Sequence, residues 1–315
     1  MICVFTSWLR DAVHCLAPSS CPGDDGLTRG FFVTHWEILH IWLLRGCQDI
    51  FSSGCMPESM CTGLISLIPK GGDTTRMRQW RPITLLSSVY KILAKLISSR
   101  LRPFLPDLIH TSQTGFVQDR SSSTPLAILL LDFKKAYDRV DWGFLEGSLS
   151  RMGFLQAWIK GVSALYRSAS SSVTIGGHVG RRFELSRSVR QGCPLKPYLF
   201  LIVAETMSDF IRVHEPALRG LLMPVLDEPE LIDQEYADDT LLLLHYTPDV
   251  LDTIRYALEV FCVASGARIN WDKSYGILAG SHDVPTWGPT HFTWLRPGET
   301  CRYLGFQAGL DVSPE

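Results

Sequence analysis

The segment Tyr236-Ala237-Asp238-Asp239 sets two adjacent carboxylates between apolar runs, Leu231-Ile232 before them and residues 241–244 after. Like charges repel, and each carboxylate resists leaving water unless a cation or a hydrogen-bond donor compensates it. Divalent metal is the simplest compensation. A third acid is available, because Asp132 ends the apolar run Ala127-Ile128-Leu129-Leu130-Leu131. Three carboxylates reaching one point would suit a two-metal phosphoryl-transfer centre. The plain alternative is a capping Asp and a turn pair.

Positioning these acids is a matter of strands. The run before Asp132 reads as a buried strand that stops at the acid, at the edge of a sheet. The Asp238-Asp239 pair reads as the turn of a hairpin, because strand-like runs flank it closely. A hairpin beside that strand end would converge the acids. Elsewhere, residues 5–16 and 31–52 carry apolar positions at helical spacing. Residues 63–69 read as a strand followed by a Gly71-Gly72 turn, and 86–105 as a helix with its Lys and Arg on the exposed face. Further on come a helix over 142–152 and a hairpin of 173–175 with 183–185, turning at Gly176-Gly177. A long helix from Pro194 to 213, a helix over 248–264, a strand over 274–279 and a loop over 281–299 complete the reading. Asp138 and Asp141 fall on a helix, where ion pairs are expected for both.

The residues around the acids resemble a known family. Leu131-Asp132-Phe133-Lys134-Lys135-Ala136-Tyr137-Asp138 and Tyr236-Ala237-Asp238-Asp239-Thr240 resemble the first and third palm motifs of reverse transcriptases, in the form of non-LTR (LINE-type) retrotransposons. Pro22-Gly23-Asp24-Asp25-Gly26-Leu27 resembles the family's N-terminal signature. Leu67-Ile68-Pro69-Lys70-Gly71-Gly72-Asp73 and Trp80-Arg81-Pro82-Ile83-Thr84-Leu85-Leu86 resemble its fingers motifs, and Ser112-Gln113-Thr114-Gly115-Phe116 the next block. Val189-Arg190-Gln191-Gly192-Cys193-Pro194-Leu195 resembles the template-side palm motif. Ser265-Gly266-Ala267-Arg268-Ile269-Asn270 to Lys273-Ser274, and Arg302-Tyr303-Leu304-Gly305, resemble the last two. One Tyr-x-Asp-Asp alone is four letters; this many blocks in register, over nearly the whole chain, is specific. A group II intron maturase or a telomerase-like polymerase shares the acids, and the blocks at 81–86 and 265–270 favour the LINE type.

The resemblance implies an α+β fold, the fingers and palm of a right-hand polymerase, with a small antiparallel palm sheet backed by helices and the thumb absent. Residues 1–50 would be an N-terminal helical extension of the fingers, and 51–310 the reverse transcriptase domain, with fingers over about 51–124 and palm over about 125–310. The implied activity is RNA-directed DNA synthesis, adding dNTPs to a primer 3′-end on an RNA template. Asp132, Asp238 and Asp239, with the Phe133 carbonyl, would hold two Mg²⁺ (or Mn²⁺) ions. Lys70 and Arg81 would grip the triphosphate, and Tyr137 would exclude a 2′-hydroxyl; a core tyrosine is its alternative. Gln191 would touch the nucleotide and Gly192 the template, where the backbone must pass close. Lys273 would protonate the pyrophosphate, with an exposed lysine as its alternative. Tyr303, Leu304 and Gly305 would form the primer grip.

Three departures qualify the resemblance. The connection from Arg120 to the Asp132 strand is short, Ser121-Ser122-Ser123-Thr124-Pro125 standing where the family has a long helix. Lys196 stands where the family has a small serine. The chain stops soon after Gly305, with no endonuclease before Met1 and no zinc knuckle, as in a fragment of an element's polyprotein. The rival reading is therefore a catalytically dead relic that at most binds nucleic acid.

Bulk composition agrees in distribution rather than total. The 315 residues carry a formal net charge of −2. Residues 61–120 hold nine Lys/Arg against three acids, which suits phosphate backbone, whereas 221–260 hold ten acids against Arg255 alone. Each stretch also fits a solvated surface, and for residues 227–235 that plain reading is preferred to metal binding. Nine cysteines with no Cys-x-x-Cys pair give poor zinc spacing and fit reduced thiols. No cleavable signal shape appears at the N-terminus, although Met1 to Val4 is apolar, and the longest apolar runs are too short to span a bilayer. An intracellular location, nucleus or cytoplasm, without membrane, is expected; oligomeric state is not legible.

Overall fold

The computed structural model describes residues 2–18, 21–70, 74–104, 126–214, 233–236, 239–279, 293–303 and 306–309. Helices α1 (Ile2–His14), α2 (Arg29–Thr34), α3 (Trp36–Ser53) and α4 (Glu58–Cys61) open the chain. Strands β1 (Thr62–Pro69) and β2 (Trp80–Leu86) lead into helix α5 (Ser88–Leu101). Strand β3 (Leu126–Asp132) is followed by helices α6 (Ala136–Arg139), α7 (Trp142–Arg151) and α8 (Gln156–Ala164). Then come β4 (Ser170–Ile175), β5 (His178–Val179), β6 (Phe183–Glu184) and helix α9 (Lys196–His214). Strands β7 (Asp233–Tyr236) and β8 (Asp239–His245), helix α10 (Pro248–Ser265), and strands β9 (Tyr275–Ala279), β10 (Thr293–Leu295), β11 (Thr300–Tyr303) and β12 (Phe306–Gly309) complete the order.

The chain sorts into two compact units whose segments alternate along the sequence: residues 1–108 with 140–200, and 109–139 with 201–315. In the first unit, α1 buries Leu9, Ala12 and Val13 and packs against α5, whose Tyr90, Ile92, Leu93, Leu96, Ile97 and Leu101 are buried. Both sets recur at three- and four-residue spacing, so each helix shows one apolar face to the other. Its sheet runs β2-β1-β4-β5, with β6 also on β4. β1 pairs antiparallel with β2 and parallel with β4, Thr62 facing Ser170. The turn at 176–177 is closed by β5, while Phe183 and Glu184 pair back at the start of β4, at Ser171 and Ser170. The single long hairpin expected over 173–185 is therefore two short pairings.

The segment 22–27 docks on the start of α5. Asp25 Oδ2 accepts from the Ser88 amide at 3.1 Å, Ser88 Oγ donates to the Leu27 carbonyl at 2.5 Å, and Ser87 Oγ accepts from the Tyr90 amide as the helix cap. Gly23 lies so close to this backbone that a Cβ would sit 2.6 Å from the Ser87 nitrogen. Lys91 is buried at 6% exposure, its ammonium donating to the Cys21 carbonyl. This corrects the reading that every cation of α5 lies on its exposed face.

In the second unit the sheet runs β10-β9-β3-β8-β7. β3 is central, antiparallel to both β8 and β9. Ala127, Leu129 and Leu131 are buried on one face, and on the other Leu130 packs with Ile277, Leu295 and Cys301. Cover on both faces is why its sequence is a continuous apolar run rather than an alternation. β8, by contrast, alternates, burying Thr240, Leu242 and Leu244. Helix α10 starts with a Thr247 cap and Pro248, and buries Leu251, Ile254, Ala257, Leu258 and Phe261.

Three further differences from the sequence reading are local. Asp141 does not sit inside a helix; its Oδ1 caps α7, accepting from the Phe144 amide at 3.0 Å. Leu86 ends β2 instead of starting α5. β10 lies within the stretch read as loop, short enough to leave no periodic signal.

Candidate active site

β3 ends where β8 begins. Their antiparallel register sets Asp132 directly opposite Asp239, with Leu131 opposite Thr240 behind them. Directly opposed residues of an antiparallel pair share a face, with Cβ atoms about 4.5–5.5 Å apart. Both acids are partly buried. Tyr236 pairs with Asp239, the innermost pair of the antiparallel β7–β8 ladder. Asp238 itself lies outside the described residues, and among those described no group of three or more His, Cys, Asp or Glu gathers. Two opposed carboxylates are unfavourable as a bare pair and supply hard oxygen donors, the donor set that a divalent cation matches.

Asp132 is held from the other side by the turn after α10. Its amide donates to Ser274 Oγ at 3.1 Å and its carbonyl accepts from the Asn270 amide at 2.7 Å. Its Oδ2 accepts from Asn270 Nδ2 at 2.5 Å. Phe133 forms a bridge with Ile269, flanked by the Asn270–Asp132 bond and by Lys134 N donating to the Arg268 carbonyl at 2.8 Å. Neither flanking bond uses the Phe133 carbonyl. The Phe133 ring meets Phe261 edge-on at 6.5 Å. Tyr137 follows on α6, partly buried, after the turn in which Lys135 takes a φ of 50°. Lys273 is exposed on the turn that carries Asn270, its amide donating to the Asn270 carbonyl at 2.8 Å.

Of the remaining candidates, Lys70, Arg81, Gln191 and Gly192 belong to the first unit, and Tyr303 to the β11–β12 pair of the second. Lys70 and Arg81 sit at the loop end of the β1–β2 hairpin: Arg81 faces Ile68, and the Lys70 amide donates to the Gln79 carbonyl at 2.7 Å. Both side chains are exposed. The Gln191 carbonyl accepts from the Thr84 amide of β2 at 3.0 Å. Gly192 has a φ of 107°, and a Cβ there would lie 2.5 Å from the Thr84 carbonyl oxygen. Only glycine fits both the angle and the approach. Tyr303 ends β11 opposite Phe306, while Leu304 and Gly305, like residues 71–73, 112–116 and 121–125, lie outside the described residues.

Sequence reasoning missed the groups behind these residues. Asn270 and Ser274 stood in a quoted block, but nothing in their spacing pointed to Asp132. Arg190, beside Gln191, is 2% exposed; its guanidinium lies 5.5 Å from the centre of the Tyr90 ring and donates to the Ser170 carbonyl at 3.4 Å. Cys193 is buried with it, and burial pushes its thiol pKa up, so this block offers no ready thiolate.

Residues 68–308 match the family model described as Reverse transcriptase (RNA-dependent DNA polymerase). The chain is 34% identical to the Transposon TX1 uncharacterized 149 kDa protein of Xenopus laevis, covering 97% of this chain and 24% of that protein. It is 26% identical to the retrovirus-related Pol polyprotein from the type-1 retrotransposable element R2 of Popillia japonica, covering 96% of this chain and 45% of the relative. It is 25% identical to the RNA-directed DNA polymerase from mobile element jockey of Drosophila melanogaster, over 62% of this chain and 22% of the relative. The chain thus spans under half the length of these relatives. Among solved structures, telomerase from Candida tropicalis in complex with a TWJ fragment of telomeric RNA aligns over 83% of this chain and 47% of its own, at 15% identity and a TM-score of 0.51. That likeness shows the fold, the fingers and palm of a right-hand polymerase. With its acids opposed at the head of the palm sheet and its family model running through both motifs, the chain belongs to the reverse transcriptase (RNA-dependent DNA polymerase) family, in the branch of non-LTR retrotransposons.

Proposed function

We propose that this domain performs RNA-templated DNA synthesis, joining a primer 3′-oxygen to the α-phosphorus of a dNTP and releasing pyrophosphate. The observation that carries the proposal is the register of Asp132 against Asp239. These acids, with Asp238 and the Phe133 carbonyl, would hold Mg²⁺ or Mn²⁺. Bound there, the cations supply charge neutralisation for the primer oxyanion and the triphosphate.

The chain's own side chains divide the remaining work. Lys70 offers a point charge and Arg81 a planar fork to the triphosphate oxygens. Tyr137 bars a 2′-hydroxyl by bulk. Gly192, without a side chain, lets template and nucleotide pass close, with Gln191 beside the nucleotide. Lys273 donates a proton to the departing pyrophosphate, and Tyr303, Leu304 and Gly305 support the primer end. The telomerase neighbour is in complex with a TWJ fragment of telomeric RNA, which supports RNA binding by this fold. A place of work inside the cell, in nucleus or cytoplasm, is part of the proposal. No helix among the described residues is long and apolar enough to cross a membrane.

A second reading is a nucleic-acid-binding relic without turnover. Lys196 favours it, a long cation at the first residue of α9 where the family has a small side chain. Primer extension on an RNA template separates the two. The polymerase reading expects Mg²⁺-dependent dNTP incorporation that Asp239→Asn removes. RNA retention on a filter with no incorporation in either Mg²⁺ or Mn²⁺ would select the relic.

A further inference from the structure

Asn270 and Ser274 form a closed ring of hydrogen bonds with Asp132. The Asp132 amide donates to Ser274 Oγ at 3.1 Å, and Ser274 Oγ donates to the Asn270 carbonyl at 3.1 Å. The Asn270 amide returns to the Asp132 carbonyl at 2.7 Å, and Asn270 Nδ2 reaches the carboxylate at 2.5 Å. Ser274 is fully buried, at 0% exposure. The ring fixes both the backbone and the carboxylate of one residue, using a partner 138 positions away in sequence.

The choice of group at 270 matters chemically. Facing a carboxylate, the amide must present its nitrogen, which fixes the otherwise ambiguous orientation of the asparagine. An amide donates without adding charge. A lysine in its place would neutralise Asp132 and compete with a cation; an acid would repel it. Asn270 engages Oδ2, and a donor on one oxygen restrains rotation of the carboxylate, and with it the bearing of Oδ1. Hydrogen-bond partners of metal-ligating carboxylates typically change metal affinity or activity by about 10- to 100-fold when lost.

We infer that Asn270 is a positioning residue for Asp132, setting its carboxylate for divalent cations through the Asn270 amide while Ser274 locks the backbone beneath it. The inference rests on the metal-site reading above and deepens it.

Mn²⁺ binding to the full chain, followed by electron paramagnetic resonance without nucleic acid, tests it. Asn270→Ala keeps the backbone bond to Asp132 and removes only the side-chain donor; Asn270→Leu does the same while keeping the volume, should the alanine variant lose its fold. The expected result is Mn²⁺ affinity about tenfold weaker and a matching rise in the Mg²⁺ needed for half-maximal incorporation, partly rescued by excess Mg²⁺. The melting temperature stays within about 3 °C of the parent, which a merely structural role would not combine with the metal effect. If a folded Asn270 variant binds Mn²⁺ as tightly as the parent while Asp132→Asn does not bind it, the positioning role is overturned and the metal site stands. If Asp132→Asn also binds Mn²⁺ at parental affinity, the metal site fails and the inference with it.

Discussion

Asp132 and Asp239 face each other as the last residue of β3 and the first of β8. Opposed like charges destabilise a strand pair, by roughly 0.2–1 kcal/mol. Function and stability therefore pull in opposite directions here. In chelator, Asp239→Asn is expected to melt at or slightly above the parent temperature. Millimolar Mn²⁺ is expected to raise the melting temperature of the parent and to leave the variant unmoved, because a ligand stabilises only the state that binds it. Thermal melts in chelator and in Mn²⁺ decide this. A variant that gained as much from Mn²⁺ as the parent would remove the pair from the metal site.

Tyr137 stands five residues beyond Asp132, on α6 in the same unit. If its ring sets the choice of sugar, Tyr137→Ala should raise rNTP incorporation relative to dNTP by about 10-fold or more, on the scale of one to two kcal/mol of steric discrimination. Single-nucleotide extension with paired dNTP and rNTP series measures the ratio. An unchanged ratio with an active variant would return Tyr137 to a packing role.

Gly192 carries two constraints at once, a φ of 107° and a 2.5 Å approach to the Thr84 carbonyl for any added Cβ. Gly192→Ala should cost about 1–3 kcal/mol, from strain in a sparsely populated backbone region. Because the Gln191 carbonyl is bound to the Thr84 amide, that strain falls on Gln191 as well. Urea unfolding should show the loss, and the KM for dNTP should rise more than kcat falls.

Lys91 is buried, and burial lowers its pKa, opposed by the nearby Asp25 and Cys21. In the unfolded chain it titrates near the ordinary lysine value of about 10.4. The unfolded state therefore binds more protons wherever the pH lies between the lowered value and that one, and stability gains as pH rises through this window. Lys91→Met removes the term. The parent should gain on the methionine variant in urea midpoint as pH climbs toward 10, and a constant gap across pH 7–10 would place the ammonium in an environment no different from water.

Much of the candidate site could be read before any coordinates. The run 127–131 stopping at Asp132, the short gap between Tyr236 and Asp239, and the helical stripes of α1, α5 and α10 are local patterns, and local pattern is what backbone periodicity imposes on a sequence. Tertiary structure alone decided the partners. It laid β4 parallel on β1 although 108 residues separate Thr62 from Ser170. It buried Lys91 and Arg190, cations that composition assigns to the surface. It gave the signature at 22–27 a structural task, seating Asp25 on the first turn of α5. It set Asn270 and Ser274 behind Asp132. An amphipathic pattern states that a face must be covered or a polar group satisfied; which distant segment does so depends on how the whole chain closes, and no local window contains that information.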